Sequence, residues 1–341
     1  MKTFGLYGAG LLAARNINGG GSGGGGGSGS GAGTTWTRRT RTSQGNWLFG
    51  VAYGDGLFVA VGYGGIILTS PDGATWTRRT SGTESWLRGV TYGKGLFVAV
   101  GDSWDILTSP DGVDWTERDS GTSDWLSGVT YGNGLFVAVG DGGIILTSPD
   151  GVDWTAQTSG TGNDLNGVAY GDGIFVAVGN RGILTSPDGV DWTAQTSGTD
   201  NPLNGVAYGD GIFVAVGNSF SLLSGGTTIL TSPDGVNWTA QTSGTDNQLA
   251  GVAYGNGTFV AVGYRGNIFA VLGESKGGTI LTSPDGVNWT ARTSGTNSRS
   301  TAWPTGTASS WRWGAAASSS PPRTGWTGRR RPRGQAAGLR A

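Results

Sequence analysis

The side chains of this chain that could do chemistry are carboxylates, tyrosines and tryptophans, because the sequence contains no histidine and no cysteine. Imidazole bases, thiolate nucleophiles, disulfides and the common zinc sites are therefore excluded. Six aspartates occupy the same place in a repeated Ser-Pro-Asp-Gly-x-x-Trp motif, at Asp72, Asp111, Asp150, Asp188, Asp234 and Asp285. Such carboxylates could serve a glycosidase or a calcium site, so their spacing decides between these uses and a structural one.

Glycoside hydrolysis requires two carboxylates in unequal surroundings on either side of the bond that breaks. The six aspartates are followed by nearly the same residues each time, which makes their surroundings alike. Glutamate occurs only at Glu84, Glu117 and Glu274, and the Asp-Gly-Val-Asp turns lack the density of oxygen ligands of a calcium loop. We therefore predict no catalytic residue, no metal site and no cofactor.

The motif ends a repeat of about 39 residues. Each copy contains four short runs rich in apolar residues, as in LNGVAYGDGIFVAVGNRGILTSPDGVDWTAQTSGT from Leu165. A period near 40 with four strands per copy is typical of a β-propeller blade. We predict an all-β fold, a β-propeller of four-stranded antiparallel blades, with six blades and seven as the alternative. The motif tryptophan lies at Trp76, Trp115, Trp154, Trp192, Trp238 and Trp289, with a forerunner at Trp36.

Residues 203–240 illustrate how one repeat becomes one blade. In the turn Pro233-Asp234-Gly235, proline presets φ, aspartate can bond its own backbone and glycine accepts a positive φ. One such sheet has two apolar faces, so neighbouring blades must cover both. We expect the segment at Trp36 to act as an extra fourth strand that closes the ring by joining the two chain ends in one blade. The four predicted strands are 203–208, 213–217, 229–232 and 238–242.

The turn resembles the Asp-box of the sialidase-like propellers (the bacterial neuraminidase repeat), whose pattern is Ser-x-Asp-x-Gly-x-x-Trp. The copies here, for instance Ser70 to Trp76 and Ser109 to Trp115, are one residue shorter, with glycine directly after aspartate. The resemblance covers about residues 34–297 and implies that the six aspartates form structural turns at the blade periphery. Enzymes of that family use an arginine triad, a Tyr-Glu nucleophile pair and an aspartate acid/base, and this sequence offers no such triad.

Composition divides the chain into three parts. Residues 1–33 contain an apolar run at 4–14 behind Lys2 and a Gly/Ser-rich linker at 19–33, and we expect them to be disordered. The apolar run is either a short secretion signal or a small apolar strand or disordered start. The sequence therefore leaves the compartment open, with an extracellular or surface location if a signal is present. Residues 34–297 are the repeat domain, and no apolar run in the chain reaches the 18 residues of a membrane span.

Residues 298–341 are basic, with eight arginines and no acidic residue, and we expect a disordered tail. In a shifted reading frame, the last base of each codon joins the first two bases of the next codon. From Thr301 onward, the codons of this tail permit such a frame to encode GVAYGNGLFVAVG, which has the pattern of the repeat. Tryptophan has a single codon, and Trp303, Trp311 and Trp313 supply the alanine, alanine and glycine that the repeat needs. We interpret the tail as an out-of-frame repeat. The nucleotide sequence tests this, because a shifted frame that does not encode the repeat would contradict it.

Differences between the repeats indicate where a ligand binds. Trp47, Trp86 and Trp125 begin the inner strands of the first three blades, whereas Asp164, Pro202 and Gln248 occupy that position later. Two insertions lie between the second and third strands, one at 218–227 with Phe220 and Leu222, the other at 264–278 with Ile268 and Phe269. These connections share a face in propellers, so we predict a binding face there. The alternatives are tryptophans that pack between blades and insertions that pack on each other.

We therefore expect a non-enzymatic binding or scaffold propeller with a protein or glycan ligand. The alternative is a glycan-active enzyme of the sialidase-like type. The repeat domain is acidic, which disfavours nucleic acid as its partner. Only the basic tail has a charge that suits nucleic acid. We expect a monomer.

Overall fold

A computed structural model describes residues 37–38, 48–103, 105–218, 227–264, 278–292 and 312–313. The described chain forms six sheets of four antiparallel strands, and in each sheet the strands lie side by side in chain order. The predicted all-β fold with six four-stranded blades is confirmed. The first strand of each blade lies innermost and the fourth lies outermost. No helix in these ranges is long and apolar enough to cross a membrane.

The strands have the following bounds. Before the blades comes β1 (Thr37–Arg38). Blade one consists of β2 (Leu48–Gly54), β3 (Leu57–Gly62), β4 (Ile66–Ser70) and β5 (Thr77–Arg79). Blade two consists of β6 (Leu87–Gly93), β7 (Leu96–Gly101), β8 (Ile106–Ser109) and β9 (Thr116–Arg118). Blade three consists of β10 (Leu126–Gly132), β11 (Leu135–Gly140), β12 (Ile145–Ser148) and β13 (Thr155–Gln157).

Blade four consists of β14 (Leu165–Gly171), β15 (Ile174–Gly179), β16 (Gly182–Ser186) and β17 (Thr193–Gln195). Blade five consists of β18 (Leu203–Gly209), β19 (Ile212–Asn218), β20 (Thr227–Ser232) and β21 (Thr239–Gln241). Blade six consists of β22 (Gln248–Gly255), β23 (Thr258–Tyr264), β24 (Gly278–Ser283) and β25 (Thr290–Arg292). Short 3-10 turns span Tyr63–Gly65 and Asp141–Gly143, and β26 (Arg312–Trp313) follows the blades.

Both faces of each sheet are apolar, and the neighbouring blades cover them. In β11, Phe136 and Ala138 pack in a buried cluster shared with blade two. The alternate residues Val137 and Val139 pack in a second cluster shared with blade four. Side chains alternate between the faces of a strand, so one apolar run can serve both interfaces. The core therefore lies between the blades.

Closure of the ring differs from the sequence expectation. Each of the six blades takes all four strands from one repeat, and Thr290–Arg292 already occupies the outer position of blade six. Thr37–Arg38 instead pairs in parallel with Arg312–Trp313 in a separate two-stranded sheet. Blades six and one share one buried apolar cluster, in which Val262 belongs to blade six and Val51 to blade one. Packing of apolar side chains therefore closes the ring of six, while Trp36 itself lies outside the described residues.

The Ser-Pro-Asp-Gly turn is held by its own side chains. In blade three, Asp150 Oδ1 accepts hydrogen bonds from the backbone N–H groups of Val152 and Asp153, at 2.9 and 3.1 Å. The Ser148 hydroxyl donates to the same oxygen and accepts from Gly151 N at 2.8 Å. The Trp154 indole N–H donates to the carbonyl of Gly151. Each of these side chains stabilises one local conformation of the backbone.

The same turn also joins neighbouring blades. Gly151 has a φ of 81°, and a Cβ placed on it would lie 2.8 Å from Leu96 of blade two. Glycine meets both requirements, because it accepts a positive φ and leaves room for the preceding blade. Equivalent contacts with the preceding blade are made by Gly112, Gly189, Gly235 and Gly286.

The turn aspartates should make the propeller sensitive to acid. Backbone N–H groups, first that of Thr75 and then that of Ala74, lower the pKa of Asp72 from 3.8 to about 2. Hydrogen bonds from the turn backbone also lower the pKa of Asp111, Asp150, Asp188, Asp234 and Asp285. A lowered folded-state pKa stabilises the fold above the unfolded value, and that stabilisation is lost as pH falls through the folded value. We expect the urea midpoint of unfolding to fall between about pH 4 and pH 2.

A matched pair of variants assigns this effect to the turns. D150N should make the urea midpoint less dependent on pH between about pH 4 and pH 2, because it removes one of the perturbed carboxylates. D153A is the control, since the Asp153 side chain accepts none of the turn hydrogen bonds and alanine adds no donor to Asp150, unlike Asn237, which donates to Asp234 in blade five. Equal pH dependence in the two variants would contradict the assignment.

Candidate functional site

The two faces of the ring carry different connections. Because successive strands in a blade run antiparallel, first-to-second and third-to-fourth strand turns lie on one face, which we call the lower face. The second-to-third connections and the segments that lead into each inner strand lie on the other, the upper face. Trp86 and Trp125 are on the upper face, as are the ends of the strands that border both insertions. The sequence prediction that these features share a face agrees with this topology.

The lower face is nearly the same in every blade. Each first-to-second strand turn has a residue with φ between 46 and 52° followed by glycine, as in Asp172-Gly173. The third-to-fourth strand turns expose a valine in five of the blades, at Val113, Val152, Val190, Val236 and Val287. This face therefore offers a repeated surface and little that distinguishes one blade from another.

Three rim positions on the upper face differ from blade to blade. The first precedes the leucine at the start of the inner strand, the second is the residue at the β-bulge of that strand, and the third follows the glycine near the end of the second strand. In blade two these are Trp86, Arg88 and Asp102. In the described residues the first positions are Trp86, Trp125, Asp164, Pro202 and Gln248. The second are Phe49, Arg88, Ser127, Asn166, Asn204 and Ala250, and the third are Tyr63, Asp102, Asp141, Asn180, Asn218 and Tyr264.

One backbone geometry supports these different side chains. In four blades the N–H of the third rim residue donates to the carbonyl of the first rim residue. The distance is 2.9 Å from Asp102 to Trp86 and again 2.9 Å from Asp141 to Trp125, and it is 3.0 Å from Asn180 to Asp164. The rim is thus a constant frame on which the side chains can be compared directly.

Blades one to three carry an aromatic sector, formed by Phe49, Tyr63, Trp86 and Trp125. The ring of Trp86 lies 5.8 Å from that of Phe49 and 4.9 Å from that of Tyr63. Arg88 lies between the two tryptophans, with Cζ 5.8 Å from the Trp86 centroid and 5.4 Å from the Trp125 centroid. Tyr63 and Trp125 are nearly half exposed, at 46 and 47%. Large aromatic side chains left open in this way offer contact area to a ligand.

Arg88 also holds Asp102 in a two-pronged ion pair. Arg88 Nε donates to Asp102 Oδ1, and an Nη of the same guanidinium donates to Oδ2 at 3.2 Å. The Asp102 side chain is only 14% exposed and that of Arg88 is 31% exposed. This carboxylate is therefore neutralised within the chain.

Blades four and five carry a polar sector of fixed amides. Asp164 accepts hydrogen bonds from Gly142 N and from Asn180 Nδ2, both at 2.9 Å. Asn166 Nδ2 donates to the carbonyl of Leu203 in the next blade at 2.8 Å. Asp164, Asn180 and Arg181 line a cavity of about 500 Å³. The polar sector thus links neighbouring blades and leaves an open, polar depression.

Asp141 differs from Asp102 and Asp164 in how its carboxylate is held. Within the described ranges its carboxylate accepts no hydrogen bond and forms no ion pair. Burial and, after it, the charge of Asp164 raise the pKa of Asp141, while Arg88 acts in the opposite direction. In the same ranges no group of three or more side chains is arranged to hold a metal ion.

The structure places part of the sequence-predicted site. Trp86 and Trp125 come together around Arg88, whereas Trp47, Phe220, Leu222, Ile268 and Phe269 lie outside the described residues. Sequence reasoning missed Phe49, Arg88 and Asp141. Aligning the repeats at Leu-x-Gly and after Val-Gly would have found them, since those columns vary between otherwise nearly identical copies.

No family model and no curated protein matches this sequence. Among solved structures, the chain is similar to YCF48 from Cyanidioschyzon merolae, with 16% identity and a TM-score of 0.55 over 74% of this chain and 87% of that one. A structure of YCF48 bound to D1 peptide has 18% identity and a TM-score of 0.55 over 73% and 83%. YjhT has 9% identity and a TM-score of 0.51 over 75% and 99%. At these identities the likeness shows the β-propeller fold alone.

The Arg88–Asp102 pair should be needed to keep the rim in place. R88M leaves a largely buried carboxylate without its cation, and we expect a loss of about 1–3 kcal/mol in the free energy of unfolding at pH 7. The double variant R88M/D102N removes the charge as well and should recover part of that loss. Urea denaturation measures both. Equal stability of the single and double variants would contradict a charge-based role for the pair.

Proposed function

We propose that this chain is a non-enzymatic binding propeller that holds a segment of a protein partner at the rim of its upper face. The observation that carries this proposal is the contrast between the two faces. One repeated backbone presents nearly the same residues six times on the lower face and different residues in each blade on the upper face. A selective site needs such differences, because identical blades would offer the same weak contact six times.

The rim carboxylates Asp102 and Asp164 are already bonded to other groups of the chain, which favours a binding function over glycan hydrolysis. Cleavage of a glycosidic bond uses two carboxyl groups that are free to act on it. Beside Asp141, the rim carboxylates are Asp102, paired with Arg88, and Asp164, held by Gly142 and Asn180. These two are fixed as structural acceptors, which suits a rigid recognition surface.

The exposed aromatic side chains suit a protein segment. Tryptophan and tyrosine are enriched among the residues that dominate binding energy at protein interfaces, since they bury much apolar area with few rotatable bonds. Tyr63 and Trp125 present such area, and Trp125 borders the polar sector of the next blade, so apolar and hydrogen-bonding groups of a peptide could be held together. The YCF48 structure bound to D1 peptide supports a peptide ligand for a propeller of similar fold.

The two insertions extend the same surface in this proposal. The chain leaves the upper face after Asn218 and after Tyr264 and returns at Thr227 and Gly278. Phe220, Leu222, Ile268 and Phe269 belong to those connections. They would add apolar contact area beside the polar sector, on the side of the ring away from Trp125.

A pair of equally exposed apolar residues tests the choice of face. Peptides selected from a random phage-displayed library against the whole protein should bind W125A at least roughly tenfold more weakly, because an exposed aromatic anchor is lost. V190A is the control, since Val190 is 45% exposed on the lower face and Trp125 is 47% exposed. Isothermal titration calorimetry measures affinity, and thermal unfolding verifies that both variants fold. Equal affinity for the two variants, or binding of glycans in place of peptides, would overturn the proposal.

A further inference from the structure

In blade two the side chain of Arg88 fills a cation site on the rim. Blade three repeats the surroundings of that site but has no arginine in it. In blade two the guanidinium of Arg88 lies near the rings of Trp86 and Trp125 and pairs with Asp102 through two hydrogen bonds. Arg88 reaches this place from the second rim position of its blade. The rim can therefore hold a planar cation that contacts an indole ring and pairs with a carboxylate.

Blade three has the same frame and lacks the arginine. Its first rim residue is Trp125, its third is Asp141, and the hydrogen bond between their backbones is 2.9 Å long, as in blade two. The β-bulge that sets the second position recurs between Leu126 and Gly128, as it does between Leu87 and Gly89. Ser127 occupies that second position. A serine side chain cannot reach the carboxylate as an arginine does, and Ser127, Asp141 and Asp164 all remain partly exposed.

We infer that the space above Ser127, bounded by Trp125, Asp141 and Asp164, binds an arginine side chain of the protein partner. We call this space the arginine seat. The inference rests on the proposed function and names the residue type that the upper face selects. A guanidinium there would stack on the exposed ring of Trp125 and pair with Asp141, reproducing the contacts of Arg88. Asp164, which takes the place that Trp125 has in blade two, would add a second negative charge.

The local charge favours a cationic occupant. Arg88 neutralises Asp102, which leaves Asp124, Asp141 and Asp164 as nearby carboxylates without a cation in the described residues. Repulsion among these groups is relieved when a cation arrives. A neutral sugar could use the ring of Trp125 but would leave the repulsion unchanged, so the charges favour a basic peptide over a glycan.

The geometry further favours arginine over lysine. A guanidinium is planar, stacks on aromatic rings and can donate two parallel hydrogen bonds to one carboxylate. In blade two the Arg88 guanidinium lies 5.8 Å from the Trp86 centroid and donates both hydrogen bonds to Asp102 at once. A lysine ammonium is a compact point charge and can satisfy only the ion pair.

Small probes test the seat directly on the whole protein. In an NMR titration at pH 7, N-acetyl-arginine amide should shift the indole N–H signal of Trp125, assigned with W125F, and saturate in the millimolar range. N-acetyl-citrulline amide has nearly the same shape without the charge and should bind roughly tenfold more weakly or not at all. N-acetyl-lysine amide should fall between them. Equal shifts with the arginine and citrulline amides would overturn the inference.

Variants at Ser127 and Asp141 separate the seat from general effects on the rim. S127R supplies the missing arginine within the chain, so it should raise the midpoint of thermal unfolding and abolish binding of N-acetyl-arginine amide. S127A is the matched control and should bind as the unchanged protein does. D141N should weaken binding roughly tenfold. If S127R does not fold, the comparison of D141N with S127A still tests the arginine seat. Equal affinity of these two variants for N-acetyl-arginine amide would contradict it.

Peptide selection distinguishes failure of the seat from failure of the proposed function. Selected peptides that contain arginine and lose binding to S127R and D141N support both proposals. Peptides that lose binding to W125A but show no dependence on arginine overturn the seat and keep the function. If no peptides are recovered, or if they bind the upper-face variants unchanged, the proposed function fails. If the protein binds glycans on an array and W125A does not, the upper face binds sugars. That result would overturn both the arginine seat and the proposed function.

Discussion

Everything in this molecule depends on the need of each sheet to have both of its apolar faces covered by other sheets. Phe136 and Val137 are adjacent in β11, yet they belong to cores shared with different blades. Close fit between blades is imposed by backbone contacts as well. The ring of Tyr131 fills the space beside Gly93 of the preceding blade, where any larger residue would collide. A blade therefore has a buried environment only within the ring, and the ring fixes the position of every inner strand.

That constraint separates the residues that stabilise the fold from those that can vary. The inner strands touch neighbouring blades, and so do the turn glycines of blades two to six, so changing these residues disturbs two sheets at once. The rim side chains of the upper face extend from a backbone that is already hydrogen-bonded between the first and third positions. They can change without altering the frame. Function is thus expected where the repeat tolerates variation, which is at Phe49, Arg88, Ser127 and their equivalents.

The sequence predicted the fold well because one motif occurs six times and errors in one copy are corrected by the others. The strands expected at 203–208, 213–217 and 229–232 are observed at Leu203–Gly209, Ile212–Asn218 and Thr227–Ser232. Trp86 and Trp125 were found because tryptophan occupies this position in the first three repeats, where the last three carry Asp164, Pro202 and Gln248. An alignment of the repeats shows that the positions of Arg88 and Asp141 vary. It does not show that these residues lie near those rings, because that proximity depends on a β-bulge and on a hydrogen bond between backbones.

Repetition also explains how a binding site can arise with little change to the fold. In blade two, arginine, tryptophan and aspartate satisfy one another, and the rim is closed to outside cations. Replacing the arginine of that trio by serine, as at Ser127 in blade three, leaves an exposed ring and a carboxylate whose charge repels its neighbours. The frame keeps its geometry, because the backbone hydrogen bond and the bulge do not involve the missing side chain. In the arginine seat that we propose, the stability given up within one blade would become affinity for a group of the same chemistry on another molecule, which is a common relation between stability and function.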